Sequence, residues 1–136
     1  MDFGTRFLIL SLGGENYAIP ITRLLEITMP RNIQKDPKQA DIFEGNVEYR
    51  GAWIPVVNMK KILKITGGPG ENLLVVNSSK GVLGLLVDSV VEILDTDQKP
   101  VPMPRGVVNP SLTYFRGILR YKDNLVPLLD EDGLLK

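Results

Sequence analysis

Apolar residues in this chain come in short runs separated by turn-forming residues, with little of the three-to-four spacing of an amphipathic helix. The run RFLILSL at 6–12 ends in Gly13-Gly14 and Glu15-Asn16, and YAIPI at 17–21 resumes it, which predicts a hairpin. NLLVVNS at 72–78, the turn Ser79-Lys80-Gly81 and VLGLLVD at 82–88 predict a second hairpin of the same build. GILRY at 117–121, Lys122-Asp123-Asn124 and LVPLL at 125–129 predict a third. Prolines 20, 55 and 127 lie inside apolar runs, where each removes a backbone donor, so their strands are expected at edges, bulges or barrel corners. Many short, bent strands point to small barrels. Helix signals are few: DPKQADIFEG at 36–45, NMKKIL at 58–63 and DEDGLL at 130–135 each have room for a turn or two. TGGPGEN at 66–72 is the clearest break in the chain.

The pattern also repeats. Residues 7–28 (FLILSLGGENYAIPITRLLEIT) slide onto 73–94 (LLVVNSSKGVLGLLVDSVVEIL) with an offset of 66 and no gap, placing Glu26 on Glu92 and Ile27 on Ile93. The same offset places Arg50-Gly51 on Arg116-Gly117. Beyond that pair the offset becomes 72, carrying Pro55 to Pro127 and Asn58 to Asp130, so six extra residues are expected in the hairpin at 122–124. The expectation is one domain over 1–136, built by duplication from halves 6–66 and 72–136, whose two small barrels bury apolar faces against each other.

Composition removes several classes of function. With 16 basic and 16 acidic residues there is no net charge to condense onto a phosphate backbone, which argues against nucleic acid as a partner. The absence of cysteine removes disulfides, thiolate metal sites and a thiol nucleophile, and the absence of histidine removes the commonest general base and metal ligand. An enzyme here would have to work with carboxylates, lysine, arginine or hydroxyls alone. Gly67-Gly68-Pro69-Gly70 lacks the spacing of a nucleotide-binding loop and reads as a linker. Asp123, Asp130, Glu131 and Asp132 lack calcium-loop spacing and read as a solvated cluster. The longest apolar runs fall well short of the roughly 20 residues that cross a bilayer, and the opening residues carry an acid at Asp2 with no secretory pattern, so a cytoplasmic location is expected.

Individual residues read plainly at first. Arg50 suits a strand end, with its stem packed and its head in water. Glu26 lies between Leu25 and Ile27 and would face away from both. Leu24 shares the face of Glu26, and Val90 that of Glu92; such aliphatics beside acids are either core or a docking strip for an amphipathic helix. Trp53, the one tryptophan, suits core or a subunit interface.

The segments FLILSLGGENYAIPITRLLEI, GNVEYRGAWIPVVNMKKIL, LLVVNSSKGVLGLLVDSVVEIL and YFRGILRYKDNLVPLLD, in that order, resemble the successive motifs of the CheW-like domain family over residues 6–135. The resemblance implies an all-β fold of two packed five-stranded barrels of SH3-like or OB-like kind, with exchange of strands between the halves left open. It implies a non-catalytic adaptor, without cofactors, that couples the cytoplasmic tip of a chemoreceptor to the regulatory domain of a CheA-type histidine kinase and meets the membrane only through the receptor. The family's receptor groove maps onto Leu24, Glu26, Ile27, Gly45, Arg50 and Val90; the kinase contact lies elsewhere and maps to no individual residue. Departures from the family pattern are Glu48-Tyr49 where Asn-Leu is common, Asn58 where an acid is common, and a highly polar loop at 31–38. Two other readings stay open: an OB-like barrel that binds a small ligand or single-stranded nucleic acid, and an adaptor of this family in a signalling pathway other than chemotaxis.

Overall fold

A computed structural model describes residues 6–101 and 115–130. In chain order the elements are β1 (Arg6–Leu12), β2 (Glu15–Pro20), a 3-10 turn (Ile21–Arg23), β3 (Leu24–Thr28), β4 (Phe43–Tyr49), β5 (Ala52–Asn58), α1 (Met59–Leu63), β6 (Asn72–Ser78), β7 (Gly81–Val87), β8 (Ser89–Asp95), β9 (Phe115–Tyr121) and β10 (Asn124–Leu129). They form two five-stranded sheets, β8-β1-β2-β10-β9 and β3-β6-β7-β5-β4. Advancing β3, β4 and β5 by five and setting β6 and β7 back by five converts the second order into the first, position by position. Each sheet therefore takes its central hairpin from one half of the sequence and its other three strands from the other half, so the halves are interleaved in space.

Register carries the correspondence to single residues. Ile9 pairs with Glu92 where β1 meets β8, and Val75 pairs with Glu26 where β6 meets β3, the same arrangement at an offset of 66. Both ladders slip by one residue next to these pairs, leaving Val91 and Leu25 as the extra residues of equivalent bulges. From β4 onward the offset is 72: Gly45 pairs with Val56 as Gly117 pairs with Leu128. This corrects the match of Arg50-Gly51 to Arg116-Gly117. Arg50 and Gly51 occupy a tight turn with positive φ (49° and 83°), whereas Arg116 and Gly117 lie within strand β9. The counterpart of Arg50 is Lys122, and the six extra residues fall between β8 and β9.

The duplicated glycines are Gly45 and Gly117. Gln34 forms an isolated bridge to Asn46, and Val101 forms one to Ile118. A Cβ at Gly117 would lie 2.6 Å from the Val101 carbonyl oxygen, and one at Gly45 would overlap that of Gln34. Gly45 also has φ 138°, a conformation that side chains resist.

Pro55 and Pro127 sit in strands with neighbours on both sides, yet the parallel pairing to β7 and β2 begins only after them, at Val56 with Gly84 and Leu128 with Ala18. Each proline is thus paired on its antiparallel side, with Asn46 or Ile118, and unpaired on the side facing β7 or β2, consistent with its missing donor. Helix α1 forms within 58–63, where the Asn58 side chain accepts from the Lys61 N–H at 3.2 Å. Residues 36–42 give turns rather than a helix, and of the third helix candidate all but Asp130 lies outside the described residues.

The runs at 7–10 and 73–76 read as continuous apolar stretches because their strands are covered on both faces. Phe7 and Ile9 join a cluster with Ala18, Leu119, Val126 and Leu128 from the first sheet, while Leu8, Leu10 and Leu12 enter a larger cluster with Val57, Leu74 and Leu85 from the second. Leu73 faces a smaller cluster with Val56 and Leu86. The largest cluster draws on both sheets and joins the barrels. At roughly 1.5–3 kcal/mol for each fully buried aliphatic, it is the main force holding them together.

Candidate functional site

Arg50 follows β4 in a two-residue turn whose central residues both have positive φ, the signature of a type I′ hairpin, with Tyr49 and Ala52 paired across it. The turn brings the guanidinium back over its own strand, 5.2 Å from the centre of the Tyr49 ring. It also meets Glu26 of β3 at 4.0 Å, with 75% of the arginine side chain exposed. A pair this open contributes little to stability. It holds a cation in one place while leaving most of its donors to solvent.

Strands β3 and β4 are the two edges of their sheet. Between them lies a cleft of about 240 Å³ lined by Glu26, Thr28, Met29, Val47, Tyr49 and Val75. The Glu26–Arg50 pair links the strand on one side to the turn on the other. Leu25 and Ile27 point outward and are exposed. Leu24 and Val90 are half-buried and pack against the same inter-barrel cluster.

The structure thus brings Glu26 and Arg50 together and seats Leu24 and Val90 on one shared core. Ile27 adjoins Glu26. Gly45 stands apart, five positions from Arg50 or roughly 16 Å at strand rise, and its surroundings are Ile33 and Gln34. The packing of the Gln34 backbone accounts for glycine there. Trp53 is not core: it is 59% exposed on β5, next to Ala52 of the Arg50 turn.

Sequence reasoning missed Tyr49 as the ring beneath Arg50, although the departure from Leu at that position was visible. It also missed a polar joint between the barrels. Lys60 of α1, with only 8% of its side chain exposed, places Nζ 2.7 Å from Asp88 Oδ1. The Gly13 N–H donates to Asp88 Oδ2 at 2.7 Å, and the Asp88 N–H donates to the Ser11 carbonyl at 3.1 Å. Asn72 Nδ2 donates to the Asp88 carbonyl at 2.9 Å. Asp88 stands where the chain leaves β7 for β8, so one residue ties together segments of both sheets. Burial would raise the Asp88 carboxyl, but the bonds from Lys60 and Gly13 outweigh it and hold the carboxyl below its usual range.

Asn58 and Glu44 explain another departure. Asn58 is buried, and its Nδ2 donates to Glu44 Oε1 at 2.8 Å. An acid at 58 would face a second carboxylate. In the other barrel the equivalent positions hold Asp130 and Arg116, an ion pair at 3.3 Å.

Among the described residues no group of three or more acidic side chains is placed to hold a metal ion, and no helix is long and apolar enough to cross a membrane. Two joined barrels displaying a held cation beside exposed aliphatics have the equipment of a protein-binding module. The chain belongs to the CheW-like domain family, whose sequence profile matches residues 6–136. It is 30% identical over 137 residues to the chemotaxis protein CheW of Helicobacter pylori, covering 96% of this chain and 81% of that one. It is 27% identical over 136 residues to the chemotaxis protein CheW of Klebsiella aerogenes, covering 97% and 82%. The fold superposes with a TM-score of 0.87 and 25% identity on the crystal structure of the scaffolding protein TtCheW from Thermoanaerobacter tengcongensis, covering 96% of this chain and 92% of the other.

Proposed function

We propose that this chain is a non-catalytic coupling adaptor of a chemotaxis pathway, which holds a chemoreceptor's cytoplasmic tip and the regulatory domain of a CheA-type histidine kinase in one cytoplasmic complex. Membership of the CheW-like family and the scaffolding role named for a relative of the same fold support the reading. The observation that carries the receptor site is Arg50, exposed yet held by Glu26 and Tyr49 beside the outward-facing Leu25 and Ile27.

The mechanism is positional. A receptor helix that covers the aliphatics gains about 25 cal/mol for each Å² buried, less the cost of ordering both surfaces. A carboxylate meeting Arg50 fixes the register of that helix and speeds encounter. Modest affinity at each contact suits an adaptor whose strength comes from many linked contacts in an array.

The test is Arg50→Glu, measured by binding of a soluble receptor-tip fragment. The expected result is a loss of about tenfold or more in affinity, about 1.4 kcal/mol, with an unchanged circular dichroism spectrum. Unaltered affinity would remove Arg50 from the receptor site.

A further inference from the structure

Lysine is seldom buried, because its ammonium loses hydration, yet only 8% of the Lys60 side chain is exposed. The Asp88 carboxylate, 2.7 Å from Nζ, offsets that loss. The two ends of the pair have different homes. Lys60 belongs to α1 in the barrel of β3–β7, and Asp88 stands at the crossing into β8 of the other barrel. Asp88 also engages the β1–β2 hairpin, through the Gly13 N–H and the Ser11 carbonyl. The tip of that hairpin is seated on the segment after α1, where a Cβ at Gly13 would lie 2.6 Å from Ile65 Cγ2. Immediately after Asp88, the Ser89 and Ser11 hydroxyls share a hydrogen bond of 2.5 Å at the start of the β1–β8 ladder.

Val90 comes next in the chain. It pairs with Leu10 of β1, whereas Leu24 pairs with Val76 of β6, so the two groove aliphatics ride on different barrels. Both pack against the cluster that joins the barrels. Apolar burial is non-directional and tolerates small slides or rotations of one barrel on the other. A charge-assisted hydrogen bond does not, since it needs a short distance and an aligned donor. The ion pair therefore adds to the cluster one setting of the start of β8 against the barrel of β3–β7. Val90 lies roughly 7 Å from Asp88 at strand rise, so it follows a shift of that residue closely.

We propose that Lys60 and Asp88 are positioning residues of the receptor groove: their buried ion pair sets one barrel against the other so that Val90 lines up with Leu24, Glu26 and Arg50 as one surface for a receptor helix. Neither residue meets the receptor itself. The proposal rests on the reading of Arg50 and the groove beside it as the receptor site. Displacing Val90 far enough to forfeit about one methylene of buried contact weakens the receptor by about fourfold.

The experiment reads barrel placement and receptor binding separately. The chain has no cysteine, so Glu48→Cys on β4 and Arg120→Cys on β9, both at exposed positions, carry spin labels on the two barrels. Pulsed dipolar spectroscopy should give one narrow distance distribution with Lys60 and Asp88 intact, and a shifted or broadened one in Lys60→Met and in Asp88→Asn. Without labels, the same two variants should bind a soluble receptor-tip fragment about fourfold more weakly, at a temperature where circular dichroism shows them folded. Lys60→Arg, which keeps a cation beside Asp88, should restore both readouts. Val126→Ala, which opens a cavity in the cluster internal to the other barrel, should lower the unfolding midpoint and leave both readouts unchanged. An unchanged distance distribution in Lys60→Met, a Lys60→Arg chain that behaves as Lys60→Met, or an equal loss of affinity in Val126→Ala overturns the proposal. Unchanged affinity in Lys60→Met where Arg50→Glu loses affinity also overturns it, and leaves the groove reading standing. Shifted distances with affinity unmoved in both Lys60→Met and Arg50→Glu overturn the groove reading and the proposal together.

Discussion

The two places where the chain crosses from one barrel to the other are built differently. Between β2 and β3 it crosses through the 3-10 turn Ile21–Arg23, where Arg23 reaches the Asn77 carbonyl at 3.5 Å. Between β7 and β8 it crosses at Asp88, which is gripped by Lys60 and by the backbone of the β1–β2 turn. The counterpart of Asp88 at an offset of 66 is Thr22, which carries no charge. The strand orders are interchangeable, and the joints are not. The two barrels share one skeleton, while one crossing is tied by the Lys60–Asp88 ion pair and the other by the Arg23–Asn77 bond.

The largest contrast expected between the copies is at the duplicated glycines. Gly45→Ala adds both a steric overlap with the Gln34 carbonyl and an unfavourable φ, and should destabilise by roughly 3 kcal/mol or more in urea unfolding. Gly117→Ala meets the Val101 carbonyl without the φ penalty and should cost less, about 1–3 kcal/mol. Equal costs would show that φ at Gly45 is not a constraint.

The joint comes next. Lys60→Met leaves Asp88 without its cation and should destabilise by about 2 kcal/mol, below the range for fully buried pairs because the carboxylate is partly exposed. Thr22→Val, at the equivalent place, should change stability by less than about 0.5 kcal/mol. The joint also has a pH signature. The folded Asp88 carboxyl lies below its unfolded value of about 3.9, so the unfolded chain takes up the proton first. Its stabilisation is complete above about pH 5 and is lost as pH falls through the lowered folded value. Acid unfolding curves of the wild-type chain and of Asp88→Asn should converge at low pH; curves that stay parallel would contradict the joint.

Asn58→Asp sharpens the comparison at the bulges. It sets a carboxylate against Glu44, with Lys61 nearby at 3.4 Å from Glu44 to soften the repulsion, and should cost about 1 kcal/mol at pH 7. Glu44→Gln in the same chain should restore most of that loss. The smallest effects belong to the displayed cations: Arg50→Glu and Lys122→Glu should each shift stability by no more than about 0.5 kcal/mol, since both pairs are open to water.

The β1–β2, β6–β7 and β9–β10 hairpins were legible because turn signals separate apolar runs there, whereas the β4–β5 hairpin was not, because its first strand, FEGNVEY, is largely polar. The interleaving was not legible. A strand such as β3 presents the same faces whether it pairs with the hairpin of its own half or with that of the other, so hydrophobic pattern cannot choose between them. The false match of Arg50 to Arg116 arose because an Arg-Gly dipeptide recurs in two conformations. A dipeptide carries less information than the register of a whole strand, and Tyr49 with Tyr121, six residues further along, held the better signal. Of the candidate site, Glu26 and Arg50 lie 4.0 Å apart, a contact the sequence reading did not contain, whereas Gly45 has a sufficient account in the close approach of Gln34. For Trp53 exposure removes the core alternative and leaves the interface one, a choice that depends on which edge of the barrel carries the hairpin tip.

The most direct measurement of the adaptor role is co-sedimentation of a receptor-tip assembly with the kinase regulatory domain, with and without this chain. The wild-type chain should bring the kinase domain down with the receptor, and Arg50→Glu should leave the kinase domain bound to the adaptor in the supernatant. Sedimentation of the kinase domain that is indifferent to this chain, or an Arg50→Glu chain that still bridges the two, would contradict the account.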